Sequence, residues 1–244
     1  MQFIPIKTRK LNPPQDNLYP IFDQYLPKLK NGDVLFITSK VLGIHQGRTV
    51  KIGAVDKKKL IYDEADAVAL GPVYKNNQFY LTIKNHTLIP TAGIDESNGN
   101  GYYILWPHNT QKLLKEIWQF LRKKYKLKNL GVIATDSHSI PLRWGTQGIS
   151  TGFFGFNPLL DYRGKKDIFG KKLKYTQSNI ADSLSAMAVL LMGEGKEQTP
   201  IVVLRDAGFI KFIGKDLHHK LVIDPNHDIY APLLKPFKKS RRLM

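Results

Sequence analysis

Oxygen-bearing side chains recur in three separate segments of this chain and could hold a divalent cation. Asp136 and Ser137 follow the apolar run of residues 130–134. Asp95 follows a second predicted strand, and Glu194 stands between two glycines after a predicted helix. Carboxylate and hydroxyl ligands, without cysteine or a histidine cluster, suit Mg²⁺ or Mn²⁺ better than zinc. We therefore predict a metal site with Asp136 as a catalytic group. Two such ions near phosphates are a recurrent arrangement that neutralises charge in phosphoryl transfer.

Each of these residues also has a simpler structural explanation. A lone aspartate at a strand end most often closes a turn through its own side chain. An acid at the end of a helix, such as Glu194, is opposed by the helix dipole unless a metal ion or a lysine offsets it. His138, beside the central aspartate, is expected to be structural. The repetition of the same chemistry in three segments is what favours a functional site.

Two further segments could contact anions. Arg143 follows Asp136 by seven residues, and a guanidinium can position a carboxylate or a transferring phosphoryl group. We predict a catalytic role for Arg143. Ser39, Lys40 and Gly43 follow a clear predicted strand and could meet phosphate, although no glycine-rich phosphate-loop pattern is present.

The spacing of apolar residues predicts the elements that position these side chains. Predicted strands cover residues 3–7, 33–38, 79–84, 87–90, 130–134, 149–153, 172–176 and 201–204. Predicted helices cover residues 18–29, 57–69, 110–125 and 180–191. Because strands and helices are intermixed without regular βαβ alternation, we predict an α+β fold with mixed sheets. We treat residues 1–244 as a single domain, with two intertwined α+β subdomains as the alternative.

Composition limits the class of protein. The formal net charge is +17, from 37 Lys and Arg against 20 Asp and Glu, which favours anionic partners. The basic runs at 57–59, 122–124 and 238–242 are more simply explained as solvated helix ends or a frayed terminus. The chain has no cysteine, which excludes disulfides and thiolate chemistry. No membrane span or export signal is recognisable, so the cytoplasm is the expected compartment.

Five motifs, in this order, resemble the γ-glutamyl ligase family that elongates the deazaflavin coenzyme F-420. They are TSKVLGIHQGR (38–48), AGIDESN (92–98), the ATDS…LRWGTQG region (134–148), DYRGKKDIFGKKL (161–173) and LLMGEG (190–195). Each motif alone is weak, but five in register cover nearly the whole chain. The resemblance is therefore specific.

The resemblance implies a nucleotide-dependent amide ligase that acts as a homodimer of two-part α+β subunits. Its substrates would be L-glutamate, an anionic carboxylate acceptor, and GTP or ATP. Two ions of Mg²⁺ or Mn²⁺ would be held by residues corresponding to Asp95, Asp136, Ser137 and Glu194. The implied nucleotide contacts are Ser39, Lys40, Asn98, Met192, Gly193, Gly195 and Lys196.

Departures from the family pattern bear on the acceptor. The family usually has the run Ser-Lys-Ala-Glu directly before a Gly-Arg pair. In this chain, Ile44, His45 and Gln46 stand directly before Gly47 and Arg48. Ser139 and Ile140 stand where Gly-Arg is usual. These differences favour a divergent branch, similar to proteins proposed to add glutamate to folates. We therefore predict a folate acceptor, with the deazaflavin precursor and GTP as the alternative.

Aromatic residues near the central motif support the same expectation. They are Trp144, Phe153, Phe154, Phe156 and Tyr162. A pterin ring would need aromatic or apolar walls, although such rings are as often part of a core.

A reading from another class is a nucleic-acid-binding protein, suggested by the net charge of +17. It is disfavoured because basic and aromatic residues are not interleaved in any recognised binding module. Three acidic segments would also repel phosphate in the absence of metal.

Overall fold

The computed structural model describes residues 1–69 and 79–240. Its helices are α1 Leu18–Tyr25, α2 Ser39–His45, α3 Lys57–Glu64, α4 Thr110–Tyr125, α5 Ile180–Met192 and α6 Ala231–Leu234. Its strands are β1 Gln2–Ile6, β2 Asp33–Thr38, β3 Thr49–Lys51, β4 Ala67–Ala69, β5 Leu81–Lys84, β6 Thr87–Pro90, β7 Tyr102–Ile104, β8 Leu130–Ser139, β9 Thr146–Phe154, β10 Leu159–Asp161, β11 Gln177–Asn179, β12 Ile201–Arg205 and β13 Phe237–Lys239.

A five-stranded mixed sheet forms the centre, with the strand order β1-β12-β2-β8-β9. Only β2 and β8 among its neighbouring pairs run parallel. Alternate residues of β2 enter two different cores, because successive side chains of a strand point to opposite faces. Leu35 and Ile37 pack with α1 and α4, whereas Val34 and Phe36 pack with α5. Helices therefore cover both faces of this sheet.

The two parallel strands, β2 and β8, end at different points along the sheet. Thr38, the last residue of β2, lies opposite Thr135, while β8 continues to Ser139 along β9. A bulge interrupts the β8–β9 register between Ala134 and Thr135. Asp136 is therefore inside a strand longer than the predicted 130–134, at a point where β8 has outrun its parallel neighbour.

A second sheet has the strand order β13-β4-β5-β6 and its own small core with α3. That core consists of Ile61, Ala65, Val68, Tyr80 and Ala92. Two-stranded sheets are formed by β3 with β7 and by β10 with β11. The predicted α+β class with mixed sheets is confirmed.

Several predicted elements have different bounds. The helix expected over 18–29 ends at Tyr25, because Leu26 precedes a proline and is held extended with ψ of 133°. The helix expected over 57–69 ends at Glu64, and residues 67–69 instead pair with β5 as a strand. Pairing across the second sheet overrides the local helical pattern there.

The predicted strand at 172–176 lies outside the strands of the structure, and β11 begins only at Gln177. Exposed lysines dominate that segment, so no buried face favours its pairing. Conversely, Ser39–His45 forms the unpredicted helix α2. The hairpin turn at Asn85 and His86 is confirmed, with φ of 48° and 60°.

Residues 241–242 of the predicted basic run lie outside the described residues. Across the ranges that the structure describes, no helix combines the length and apolar character needed to cross a membrane.

Candidate active site

A cavity of about 750 Å³ lies at the carboxyl ends of β2 and β8. Its walls come from residues 8–13, the first turns of α2, the loop at 95–100, residues 135–137 of β8 and the segment after α5. The four predicted metal ligands all line this cavity, and they are Asp95, Asp136, Ser137 and Glu194. The tertiary structure thus brings together side chains that are about a hundred residues apart in the chain.

Most of the predicted nucleotide contacts line the same cavity. They are Lys40, Asn98, Met192, Gly193, Gly195 and Lys196. The amide Nδ2 of Asn98 donates to the carbonyl of Gly195 at 2.9 Å, which ties the loop at 95–100 to the turn after α5. Ser39 differs, since it is buried behind the cavity wall, where its hydroxyl group lowers the pKa of the Asp136 carboxyl.

Asp136 has an unusual electrostatic environment. Burial raises the pKa of its carboxyl group to about 6, against hydrogen bonds that lower it, and the nearby charge of Asp95 raises it further. The indole Nε1 of Trp106 donates to Oδ2, and the backbone N–H of Ser137 donates to Oδ1 at 2.9 Å. Among the described residues, no lysine or arginine forms an ion pair with Asp136. A partly buried carboxylate without a cationic partner is suited to a bound cation.

Asp95 is held differently from Asp136. Its Oδ2 forms an ion pair with Lys40 Nζ at 2.7 Å, and its Oδ1 accepts from the N–H of Ser97 at 2.6 Å. Lys40 also donates to the carbonyl and hydroxyl oxygens of Ser97, at 3.0 and 2.9 Å. On the opposite wall, the hydroxyl of Thr146 donates to Glu194 Oε1 at 3.4 Å.

The acidic side chains surround the cavity and do not form a closed cage. Within residues 1–69 and 79–240, no group of three or more histidine, aspartate or glutamate side chains is arranged to hold a metal ion by itself. Mg²⁺ is commonly bound by one or two carboxylates together with substrate phosphates and water. The donor set is consistent with such a shared ion, and the metal roles of the four residues stay predictions.

Arg143 and His138 lie outside the lining of the cavity. Arg143 is exposed on the turn between β8 and β9, where Nη1 reaches the carbonyl of Leu142 at 3.5 Å. Its catalytic role stays a prediction. His138 is partly buried on β8, and burial lowers the pKa of its imidazole.

The aromatic residues do not form the expected acceptor wall. Phe153, Phe154 and Phe156 are buried in the two cores of the central sheet. Trp144 is fully exposed on the β8–β9 turn. The rings on β9 serve packing because this strand is covered by helices on both faces, so they do not support a pterin site.

Sequence reasoning missed three contributors to the site. Arg9 and Lys10 line the cavity from the N-terminal loop, and their position just before a proline-rich segment was the available signal. Trp106 supports Asp136 from behind the cavity. It sits in an apolar run with no feature that marks it as part of a site.

Comparison with known proteins places these residues in a family. The family model described as "F420-0:Gamma-glutamyl ligase" matches residues 5–206. The chain belongs to this family.

Relatives in the family are named "Coenzyme F420:L-glutamate ligase". The protein of Methanocaldococcus jannaschii is 32% identical over 232 residues, which cover 83% of this chain and 87% of the relative. That of Methanopyrus kandleri is 28% identical over 244 residues, covering 91% and 94%. That of Methanococcus maripaludis strain C7 is 37% identical over 166 residues, and the match spans 66% of this chain and 64% of the relative's length.

These names correct the predicted acceptor. The relatives are named for coenzyme F-420 and not for folate. The expectation of a folate-directed branch was therefore wrong. It rested on local departures from motifs and on aromatic rings that the fold uses as core.

Proposed function

We propose that this protein joins the amino group of L-glutamate to a carboxylate of the deazaflavin precursor of coenzyme F-420, with GTP as the co-substrate. The observation that carries the proposal is the single cavity in which acidic residues from three separate motifs meet. Membership of the family and the names of its relatives support this reaction and this acceptor.

The walls of the cavity divide into two chemical kinds. Lys40, Lys10 and Lys196 supply positive charge for nucleotide phosphates, and Asn98 supplies an amide beside the turn after α5. Asp95, Asp136, Ser137 and Glu194 supply oxygen ligands. They would hold Mg²⁺ or Mn²⁺, which would neutralise charge on the phosphoryl oxygens.

Amide formation from a free carboxylate needs an activated acyl group. The acceptor carboxylate attacks the γ-phosphorus of the nucleotide, the nucleoside diphosphate leaves, and an acyl phosphate forms. The amine nitrogen of glutamate then attacks the acyl carbon, inorganic phosphate leaves, and the nitrogen loses a proton. The role of the cavity in this path is to hold both reactants close together and to exclude competing water.

Isotope transfer tests this path. The acceptor is prepared with ¹⁸O in its carboxylate and incubated with protein, GTP, Mn²⁺ and glutamate. One labelled oxygen should appear in inorganic phosphate, together with an acceptor that is heavier by one glutamyl residue. Unlabelled phosphate would exclude the acyl phosphate, and absence of the glutamylated product would contradict the ligase assignment. Parallel reactions with ATP test the choice of nucleotide.

A matched pair of variants tests the site. Asp136→Asn should lower kcat by about 100-fold or more, because it removes an anionic ligand of the cation that would neutralise charge on the transferring phosphoryl group. Asp23→Asn changes an exposed aspartate paired with Lys124 and should leave kcat unchanged. Normal turnover by Asp136→Asn would remove this residue from the mechanism.

The resemblance to the family also implies a homodimer, which we include in the proposal. Light scattering coupled to size exclusion should give twice the chain mass of 27.8 kDa. A monomer with full activity would contradict it.

A further inference from the structure

Trp106 is one of the most deeply buried large side chains, and the proposed reaction gives it no role. It is 2% exposed and follows β7 in the chain. Its indole N–H donates to Oδ2 of Asp136, on the central sheet. A buried indole N–H usually finds a hydrogen-bond partner, and that of Trp118 donates to the neutral carbonyl of Leu130 at 2.8 Å. The acceptor of Trp106 is instead a carboxylate that lines the cavity.

A buried ion cluster fixes the position of this indole from the side of the second sheet. Arg48 Nε donates to the backbone carbonyl of Trp106 at 3.2 Å, and Arg48 Nη2 pairs with both oxygens of Glu64 at 2.7 and 2.6 Å. Lys84 Nζ binds the same carboxylate at 2.5 Å and lies 6.0 Å from the centre of the indole ring. Because these charges are largely buried, the cluster restricts the movement of Trp106.

Close packing of Gly93 also restricts the indole ring. Gly93 packs against the indole so closely that a Cβ at this position would lie 2.4 Å from Nε1. Its φ of +69° is a conformation that glycine adopts readily. This glycine belongs to the 3-10 turn just before Asp95, so the loop that carries one acidic ligand also holds the indole that contacts another.

We infer that Trp106 is a positioning residue, whose indole N–H orients the Asp136 carboxylate so that its remaining lone pairs bind a divalent cation in the cavity. The inference rests on the proposed function for the identity of that cation. A carboxylate oxygen can accept more than one hydrogen bond or metal bond. The indole therefore fixes the Asp136 carboxylate and leaves lone pairs free for a cation. Hydrogen-bond partners behind a metal ligand typically affect affinity for the ion strongly.

Manganese binding tests this inference without requiring turnover. Free Mn²⁺ is measured by electron paramagnetic resonance with GTP present but without acceptor or glutamate, for wild type, Trp106→Phe and Trp118→Phe, against a protein-free sample of the same composition. Both variants lose one buried indole N–H, but only Trp106→Phe loses a bond to Asp136. Trp106→Phe should weaken Mn²⁺ binding by about 10–100-fold, and Trp118→Phe by less than about twofold.

Steady-state kinetics supply a readout that misfolding would not reproduce. In Trp106→Phe, the Mn²⁺ concentration for half-maximal rate should rise with the dissociation constant, while KM for glutamate stays unchanged. Equal Mn²⁺ affinity in Trp106→Phe and wild type would overturn the inference. So would wild-type protein that binds no Mn²⁺.

A second measurement keeps the test valid if Trp106→Phe fails to fold. The chain has three tryptophans, so the double variant Trp118→Phe/Trp144→Phe leaves Trp106 as the only one. Paramagnetic Mn²⁺ bound at Asp136 should quench its fluorescence, saturating at the concentration found by resonance. Fluorescence that does not respond while Mn²⁺ binds would overturn the inference. Wild-type protein that binds Mn²⁺ more tightly than Trp106→Phe but forms no glutamylated product would contradict the proposed function and leave the role of Trp106 supported.

Discussion

At the residue scale, three effects act on the charged form of the Asp136 carboxyl group, and they do not all favour it. It is placed where burial disfavours its charge, near a second carboxylate, and it receives two hydrogen bonds that favour the charge. The resulting pKa of about 6 means that burial outweighs the hydrogen bonds. A residue that serves only the fold would gain nothing from this arrangement, so the cost is evidence for a functional role.

This cost predicts how stability depends on pH in cation-free protein. The pKa of Asp136 is raised from 3.8 to about 6 on folding, so its contribution to stability is fully present below about pH 4 and is lost as pH rises through 6. Asp136→Asn does not show this loss, because the asparagine side chain does not ionise. We expect the variant to be more stable than wild type at pH 7 by up to about 3 kcal/mol, and the difference to shrink to less than about 1 kcal/mol near pH 4.

Urea denaturation with a chelator present measures this difference, and Asp23→Asn serves as the exposed control. A difference between Asp136→Asn and wild type that is the same at both pH values would contradict the predicted burial cost.

At the element scale, the packing of α5 against β9 sets the position of the turn that lines the cavity. Gly148 on β9 lies beneath the helix, where an added Cβ would be 2.3 Å from the carbonyl of Ser185 and 2.6 Å from Val189 Cβ. The helix ends at Met192, and the cavity-lining turn follows directly. A displacement of α5 is therefore transmitted to the predicted nucleotide contacts.

Gly148→Ala should reveal this coupling. The clash involves backbone, so α5 must shift, and we expect a loss of about 1–3 kcal/mol in the free energy of unfolding together with a higher KM for nucleotide. Gly208→Ala adds a Cβ where no atom lies within 4 Å and should change neither quantity. If Gly148→Ala has the stability and the nucleotide KM of wild type, the close approach of β9 to α5 does not set the position of the cavity-lining turn.

At the scale of the whole molecule, a charge cluster joins the second sheet to the segment that supports the site. Glu64 is shared between Arg48 and Lys84, and the three side chains are at most 16% exposed. Burial lowers the pKa of Lys84 against the attraction of Glu64, while the two cations together lower the pKa of Glu64 despite its burial. Glu64 is therefore the counter-charge that both buried cations share.

Glu64→Gln should therefore destabilise the protein by about 3 kcal/mol, because it leaves two buried cations without a counter-charge. Asp23→Asn removes an exposed ion pair with Lys124 and should lower the free energy of unfolding by less than about 1 kcal/mol. Urea denaturation at neutral pH compares the two variants. Equal stability of Glu64→Gln and wild type would show that the cluster is solvated.

The net charge of +17 predicts an effect on encounter rates. Anionic acceptor and nucleotide are attracted to the protein over distances that salt screens, with a Debye length of about 8 Å at physiological ionic strength. We expect kcat/KM for the acceptor to fall severalfold between about 50 and 300 mM salt, with kcat unchanged. Steady-state rates across a salt series measure this, and a flat kcat/KM would exclude long-range attraction.

Local sequence patterns were sufficient to locate the strands of the central sheet and the helices α4 and α5. Residues 33–38 and 201–204 are short apolar runs between turn signals, and 180–191 repeats apolar residues at helical spacing. The five motifs also identified the family and the acidic residues that line the cavity. Each of these features depends on residues that are close together in the chain, so the sequence alone could determine them.

Only the tertiary structure decided which residues surround the acids. β4 pairs with β13 across more than 160 residues, and Trp106 reaches Asp136 from behind the cavity. The same long-range packing turned the aromatic rings of β9 into core. Such contacts depend on how separate elements pack against each other, and no local spacing carries that information. For that reason the sequence determined the family and the acidic residues that line the cavity, while the support of Asp136 and the rest of the cavity wall were decided by the fold.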